Sequence, residues 1–257
     1  MLAFRLLDAE HSDIFQQLCR DIVESSRPAN SEREAVEIAL ARTWRWHHLL
    51  RGGNDGRLSP EEQKGLLGEL LVLERHLLTN LPARDAVAAW RGPLDAPRDF
   101  EIGRIGVESK ARRGDASAYV HISSEHQLDD SGLDALFLHV AEFARASSDD
   151  ANAFDVIAVA ARVRSAVERL DAGALDLFEG SLLATGFVWD DDYADSRWTG
   201  GDSRLYRVAP EFPRISPLGL AAGITAVRYS LSLAACDPFV VAHDALHAML
   251  KGGSPRV

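Results

Sequence analysis

Residues 99–110, Asp-Phe-Glu-Ile-Gly-Arg-Ile-Gly-Val-Glu-Ser-Lys, hold three acids and a lysine at spacings that can bring them together. A two-residue turn at Gly103-Arg104 would fold the stretch into a hairpin, with glycine supplying the positive φ such turns demand. That register pairs Ile102 with Ile105, Glu101 with Gly106, Phe100 with Val107 and Asp99 with Glu108. Alternation then sets Asp99, Glu101, Glu108 and Lys110 on one face, and Phe100, Ile102, Ile105 and Val107 on the other. Gly106 is expected to leave open space between Glu101 and Glu108. Carboxylates facing each other across a ladder repel unless something neutralises them. A divalent cation would do so, and Lys110 beside Glu108 would complete a site able to cut a phosphodiester.

A helix must bring any further acid. Ser59-Pro60-Glu61-Glu62 has the cap, the first-turn proline and the early acids of a helix start. Leu66, Leu70, Leu73 and Leu77 form its apolar seam, and Glu69 lies about 60° from Leu66 around the axis. A carboxylate there must find a cation, a donor or a metal-bound water, because burying it alone is costly. Glu74, on the other flank, competes for that role, and a structural salt bridge is the plainer reading of either acid. Pro82, Pro93 and Pro97 mark the connection to the hairpin. Strands are expected near 118–123 and 135–143, with the polar Glu125-His126-Gln127 between them.

The spacing Asp99, then Glu108-x-Lys110, resembles the signature of the PD-(D/E)xK nuclease superfamily, with Pro97 and Arg98 just upstream. The wider chain is similar to a bacterial family of PD-(D/E)xK-motif proteins of unassigned function. Gly68-Glu69, Trp90-Arg91-Gly92-Pro93, Asp99-Phe100, Glu108-Ser109-Lys110 and Ile122-Ser123-Ser124-Glu125-His126-Gln127-Leu128 carry that similarity. Phe212-Pro213-Arg214-Ile215 and Val227-Arg228-Tyr229 extend it. The resemblance implies a mixed α/β, restriction-endonuclease-like core: a central mixed sheet of about four strands flanked by helices, with a C-terminal α/β extension. It favours Glu69 over Glu74. It also implies Mg²⁺ or Mn²⁺ on Asp99, Glu108, Glu69 and the carbonyl of Ser109, with Lys110 acting on the attacking water. The products would be a 5′-phosphate and a 3′-hydroxyl. Gln127 becomes a candidate nucleic-acid contact. The family's association with restriction and phage-defence genes implies foreign DNA as target and other defence proteins as partners. Cutting both strands would need two such sites, which a homodimer would supply, though the sequence leaves the oligomeric state open.

A chain of 257 residues that is 46% apolar can bury a sizeable core without staples. Cys19 and Cys236 have no metal spacing and suggest a reducing cytoplasm. No signal peptide and no membrane-length apolar run is apparent. The net charge of −11 opposes nucleic-acid binding, which depends on cations. Arg98, Arg104, Lys110, Arg112 and Arg113 nevertheless gather around the hairpin, so local attraction is expected there, most of all from Arg98, Arg112 and Arg113. As a solvated strand edge the same arginines would have no such role.

Three segments are expected: helical residues 1–56, a nuclease-like core over 57–146, and an extension over 151–257 beyond Ser147-Ser148-Asp149-Asp150. Helices are anticipated near 10–25, 32–50, 154–170 and 172–185, and strands near 204–209 and 224–235. His47 and His48 are adjacent, so a helix turns them apart, and they read as packing residues rather than metal ligands. His243 and His247 lack the glutamate of a zinc-protease helix and read as surface histidines. Asp95 and Glu101 are stand-ins for Asp99. A catalytically retired fold that only binds nucleic acid, or a scaffolding subunit, is the alternative to an active nuclease.

Overall fold

Apolar residues alternate through 100–107 and run almost unbroken through 135–143, the patterns of a half-buried and a fully buried strand. A computed structural model describes residues 3–6, 11–29, 31–32, 35–36, 38–40, 42–43, 46, 57–94, 96–114, 118–147, 149–193 and 196–252. His47, His48 and Asp95 lie outside the described residues. Strands β1 (Phe100–Ile102) and β2 (Ile105–Arg113) make the expected hairpin, with Gly103 at φ +58°. Its pairs are Phe100↔Val107, Glu101↔Gly106 and Ile102↔Ile105. The ladder ends there, so Asp99 and Glu108 are not strand partners. The Asp99 carbonyl instead accepts the N–H groups of Arg91 and Gly92 at 2.7 and 3.0 Å.

Strand β3 (Tyr119–Ile122) does not join this sheet. β2 lies parallel to β4 (Ala135–Arg145), which pairs antiparallel with β5 (Trp198–Arg207). β3 pairs with β6 (Tyr229–Ser232) in a separate two-stranded sheet, and β7 (Val240–Val241) closes the far edge beyond β5. The main sheet is therefore mixed and five-stranded, in the order β1-β2-β4-β5-β7. It draws strands from both sides of the expected border at 147–150. The chain folds as two compact units, residues 60–182 with 192–257, and residues 1–59 with 183–191.

Within the smaller unit, helix α1 spans Ser12–Ser26, and Asp21 on it accepts a hydrogen bond from the Trp46 indole at 3.0 Å and pairs with Arg42. In the larger unit, α2 (Pro60–Val72) continues into a π-helical turn, Leu73–Leu77, and α3 (Ala83–Ala88) follows. α2 lies against one face of the main sheet. Gly68 lets it approach: a Cβ there would stand 3.2 Å from Ser109 Oγ and 3.4 Å from Ala111 Cβ. Asp155 caps α4 (Val156–Leu170) by accepting the Ala158 N–H at 2.7 Å. Val156, Val159, Ala160, Val163 and Val167 then form its buried stripe. α5 (Leu175–Ala184), α6 (Leu233–Cys236) and α7 (His243–Gly252) follow along the chain. The other face of the sheet is covered by the β3–β6 pair, through a core that includes Val120, Ile122, Leu136, Leu138, Val140 and Leu231. Among the described residues no helix is long and apolar enough to cross a membrane.

Candidate active site

Helix α2, the segment before β1, and β2 each deliver one carboxylate to the same corner. Glu69 of α2 accepts a hydrogen bond from the Trp90 indole at 2.6 Å. Asp99 Oδ2 accepts the backbone N–H of Ser109 at 2.8 Å. Glu108 is wholly buried on β2, and Lys110 Nζ lies 2.7 Å from its Oε1 while Oε2 has no donor. Gly92 forms the floor between two of them. A Cβ on Gly92 would stand 2.9 Å from both Asp99 Oδ1 and Glu69 Oε2, so any side chain there would displace the two carboxylates.

Charge is out of balance here. Three carboxylates face one ammonium, a net of −2 if all four groups ionise. Burial and then Asp99 push Glu108 up to about 8, and Lys110 offsets this only in part. Burial, with Asp99 next, raises Glu69 well above the usual carboxylate range against the pull of Trp90. Burial raises Asp99 too, opposed by Lys110 and the Ser109 N–H. Burial would lower Lys110, but Glu108 and Asp99 outweigh it and hold the ammonium above its ordinary value.

Oxygen-only donors, a buried oxygen without a partner and a deficit of two positive charges suit a hard divalent cation. As the side chains stand, no three His, Cys, Asp or Glu among the described residues converge on one ion position. Glu108 is turned to Lys110 and Asp99 to Ser109, so loading an ion means exchanging those partners.

The supporting residues fall into two groups. Gln127 Oε1 accepts from Lys110 Nζ at 3.2 Å and from the Ser123 N–H at 2.8 Å, so Gln127 holds the lysine. Arg98 is 13% exposed. It pairs with Glu101 at 2.7 Å and donates to the Asp129 carbonyl at 2.9 Å. Arg112 is 9% exposed and pairs with Glu142 at 2.7 Å. Both arginines brace the fold in this arrangement, and Arg113 is the exposed one of the expected three. Glu101 is spent on Arg98, away from the carboxylate cluster. Glu74 is held by Arg162 through two hydrogen bonds, at 2.6 and 2.8 Å, which makes it the structural ion pair. Glu125 accepts the N–H groups of Ala226 and Val227 at 3.2 and 2.8 Å and anchors that loop.

Three expectations are corrected. The space over Gly106 is filled: a Cβ there would meet Leu133 and Leu136 at 2.9 Å and Arg98 at 3.1 Å. β3 lies outside the main sheet. His243 and His247 are only part-exposed and pack against His76. Trp90, Arg91 and Gly92 were legible only as part of a motif. Their use, as indole donor, exposed arginine and carboxylate floor, depends on a loop closing onto Asp99.

A mixed sheet, a helix-borne glutamate and an Asp…Glu-x-Lys hairpin define a nuclease-like fold of the PD-(D/E)xK kind. Residues 1–234 match the family described as "Putative PD-(D/E)XK family member, (DUF4420)", and the chain belongs to that family. No curated protein and no solved structure matches it.

Proposed function

We propose that this chain is a divalent-metal-dependent nuclease that hydrolyses phosphodiester bonds in DNA. The observation that supports it is the cluster of half-buried Glu69, Asp99 and Lys110 around the fully buried Glu108, two positive charges short of neutral when all four groups ionise. Asp99 and Glu108 would hold Mg²⁺ or Mn²⁺, with the Ser109 carbonyl beside them and Glu69 joining directly or through water. Bound there, such an ion supplies Lewis-acid stabilisation of the phosphate and lowers the pKa of water. Lys110, released from Glu108, orients the attacking water and meets the negative charge that grows on phosphorus. Gln127 keeps that ammonium in place, and Trp90 fixes the Glu69 carboxylate. Arg91 and Arg113, both exposed, are the cations offered to the phosphate backbone. A role against foreign DNA, defence proteins as partners, and a homodimer for double-strand cleavage follow from the family resemblance. Two observations favour a second reading, a retired fold that only binds: Glu108 is already ion-paired with Lys110, and the net charge is −11.

The deciding experiment is supercoiled-plasmid nicking with Mg²⁺ or Mn²⁺, comparing the wild type with Lys110→Ala. Metal-dependent nicking that the variant loses is the expected result. An inactive wild type that also takes up no Mn²⁺ in a calorimetric titration would establish the retired fold.

A further inference from the structure

Four histidines from three distant stretches of the sequence meet beside the main sheet. His76 sits in the π-helical turn after α2, an irregularity often found at functional sites. His139 is in the middle of β4, and His243 and His247 lie one turn apart on α7. His139 is fully buried, and no group reaches either of its ring nitrogens. His76 is 3% exposed and its Nε2 is likewise without a partner. Its Nδ1 lies 2.9 Å from His247 Nε2. Buried polar atoms left unpaired are rare because they are costly, and three occur here together.

The spacing of the rings has a chemical meaning. Centroids are 4.9 Å apart for His76–His243, 5.2 Å for His76–His247, 5.5 Å for His76–His139 and 6.4 Å for His139–His243. Four imidazoles on a tetrahedral ion with bonds of about 2.0–2.1 Å would set ring centroids about 5 Å apart and nitrogens about 3.3 Å apart. His247 also presents its Nδ1 to Asp244 Oδ1 at 3.5 Å, the carboxylate-to-histidine support that metal ligands commonly have. His243 Nε2 faces Ser203 Oγ at 3.5 Å, and its ring stands 4.9 Å from that of His76.

The rings are also in the chemical form that binds metal. Burial, then His243 and His247, holds His76 down at about 3. Burial, then His76, keeps His139 well below its ordinary value, and burial lowers His243. Arg75 is the opposing charge, and its Nη1 is turned away to the Gly201 carbonyl at 2.6 Å. The nitrogens do not share one point as they stand, since His76 and His247 bond to each other. Loading an ion would widen that contact from 2.9 Å to about 3.3 Å and draw the His139 and His243 rings, now 6.4 Å apart, closer by about an ångström or more.

We propose that His76, His139, His243 and His247 form a closed site for a borderline divalent cation, Zn²⁺ above others, which pins α7 to the sheet. Four protein ligands with no open position make a structural rather than a catalytic site. His243 and His247 lie beyond residue 234, outside the family match, so the site is independent of the nuclease reading.

The test is a Co²⁺ titration of the full chain after chelator treatment, carried out in an Asp99→Asn/Glu108→Gln background so that the acidic cluster does not compete. One equivalent should bind with the intense visible bands of tetrahedral cobalt, be displaced by Zn²⁺, and raise Tm by several degrees. His243→Asn/His247→Gln, placed at part-exposed positions so that the fold survives, should lose the bands and weaken binding about 100-fold or more. A folded parent without stoichiometric tetrahedral cobalt overturns the proposal. So does a double variant that binds as the parent does.

Discussion

The carboxylate cluster and the histidine cluster are neighbours built on opposite principles. β2 and β4 are adjacent strands, but Glu108 and Lys110 are in register with Leu138 and Val140, so alternation puts them on the opposite face of the sheet from His139. At the first, three acids surround one lysine and, once they ionise, the deficit is charge. At the second, neutral rings surround one another and the deficit is hydrogen bonds. Burial drives both, but it protonates the carboxyls and deprotonates the imidazoles. The first therefore suits a hard cation carried on oxygens, and the second a softer one carried on nitrogens.

The widest separation between them should be in cleavage. Asp99→Ala is expected to cut metal-dependent nicking by about 10³-fold or more, while His247→Gln leaves it within a few-fold. Glu101→Ala sharpens the contrast from within the hairpin. Glu101 pairs with Arg98, so its loss should lower Tm slightly and spare the rate. Circular dichroism and plasmid nicking on the same preparations decide this. A Glu101→Ala enzyme as dead as Asp99→Ala would move the metal ligand to Glu101.

pH separates the clusters next. A carboxyl raised in the folded state binds protons that the unfolded chain has lost. Glu108, at about 8 against an ordinary 4.5, therefore costs stability as pH rises through that interval, on the order of a few kcal/mol. Glu69 and Asp99 add to the same slope. His76 works the other way: the unfolded imidazole takes protons that the folded one refuses. Stability is thus gained as pH climbs from about 3 to 6.5. Metal-free protein should be most stable on the acid side of neutrality. Urea denaturation from pH 5 to 8.5 should show Glu108→Gln flattening the fall, while His76→Gln affects only the acid limb. A Glu108→Gln protein that still loses stability at the wild-type rate would place the raised group elsewhere.

How much of this was legible depended on sequence distance. The hairpin register, the Gly103 turn and the Asp99, Glu108 and Lys110 set lie within twelve residues, where alternation and turn chemistry suffice. Glu69 could be separated from Glu74 only by resemblance, since periodicity put both on the flanks of one seam. In the structure the two acids differ in partner, Trp90 for Glu69 and Arg162 for Glu74, 21 and 88 residues away. Nothing local about His243 and His247 announces His76 and His139 across the fold, and an i,i+4 pair without its glutamate reads as surface. The same blindness misplaced β3. A four-residue strand with one apolar face fits either a central sheet or a covering one, and only its distant partner β6 decides.

Trp90 tests how far the acidic site depends on support rather than on ligands. Trp90→Phe keeps most of the buried ring but leaves Glu69 Oε2 without its indole donor. The expected outcome is a loss of about 1 kcal/mol in stability and about tenfold in nicking, with the Mn²⁺ dependence shifted to higher concentration. An unchanged metal dependence would mean that Glu69 is not engaged with the ion.

The smallest effect belongs to Arg91. It is exposed, no ion pair holds it among the described residues, and its backbone N–H is fixed on the Asp99 carbonyl 2.7 Å away. Its guanidinium therefore starts from the wall of the acidic corner, where an overall charge of −11 leaves few cations to draw a phosphate in. Arg91→Ala should weaken DNA binding only a few-fold at low salt and reduce the slope of log affinity against log salt by about one. Cleavage at saturating DNA should stay close to wild type, because the residue binds substrate and does no chemistry. A salt slope that does not change would send the nucleic acid past the other wall, towards Arg113.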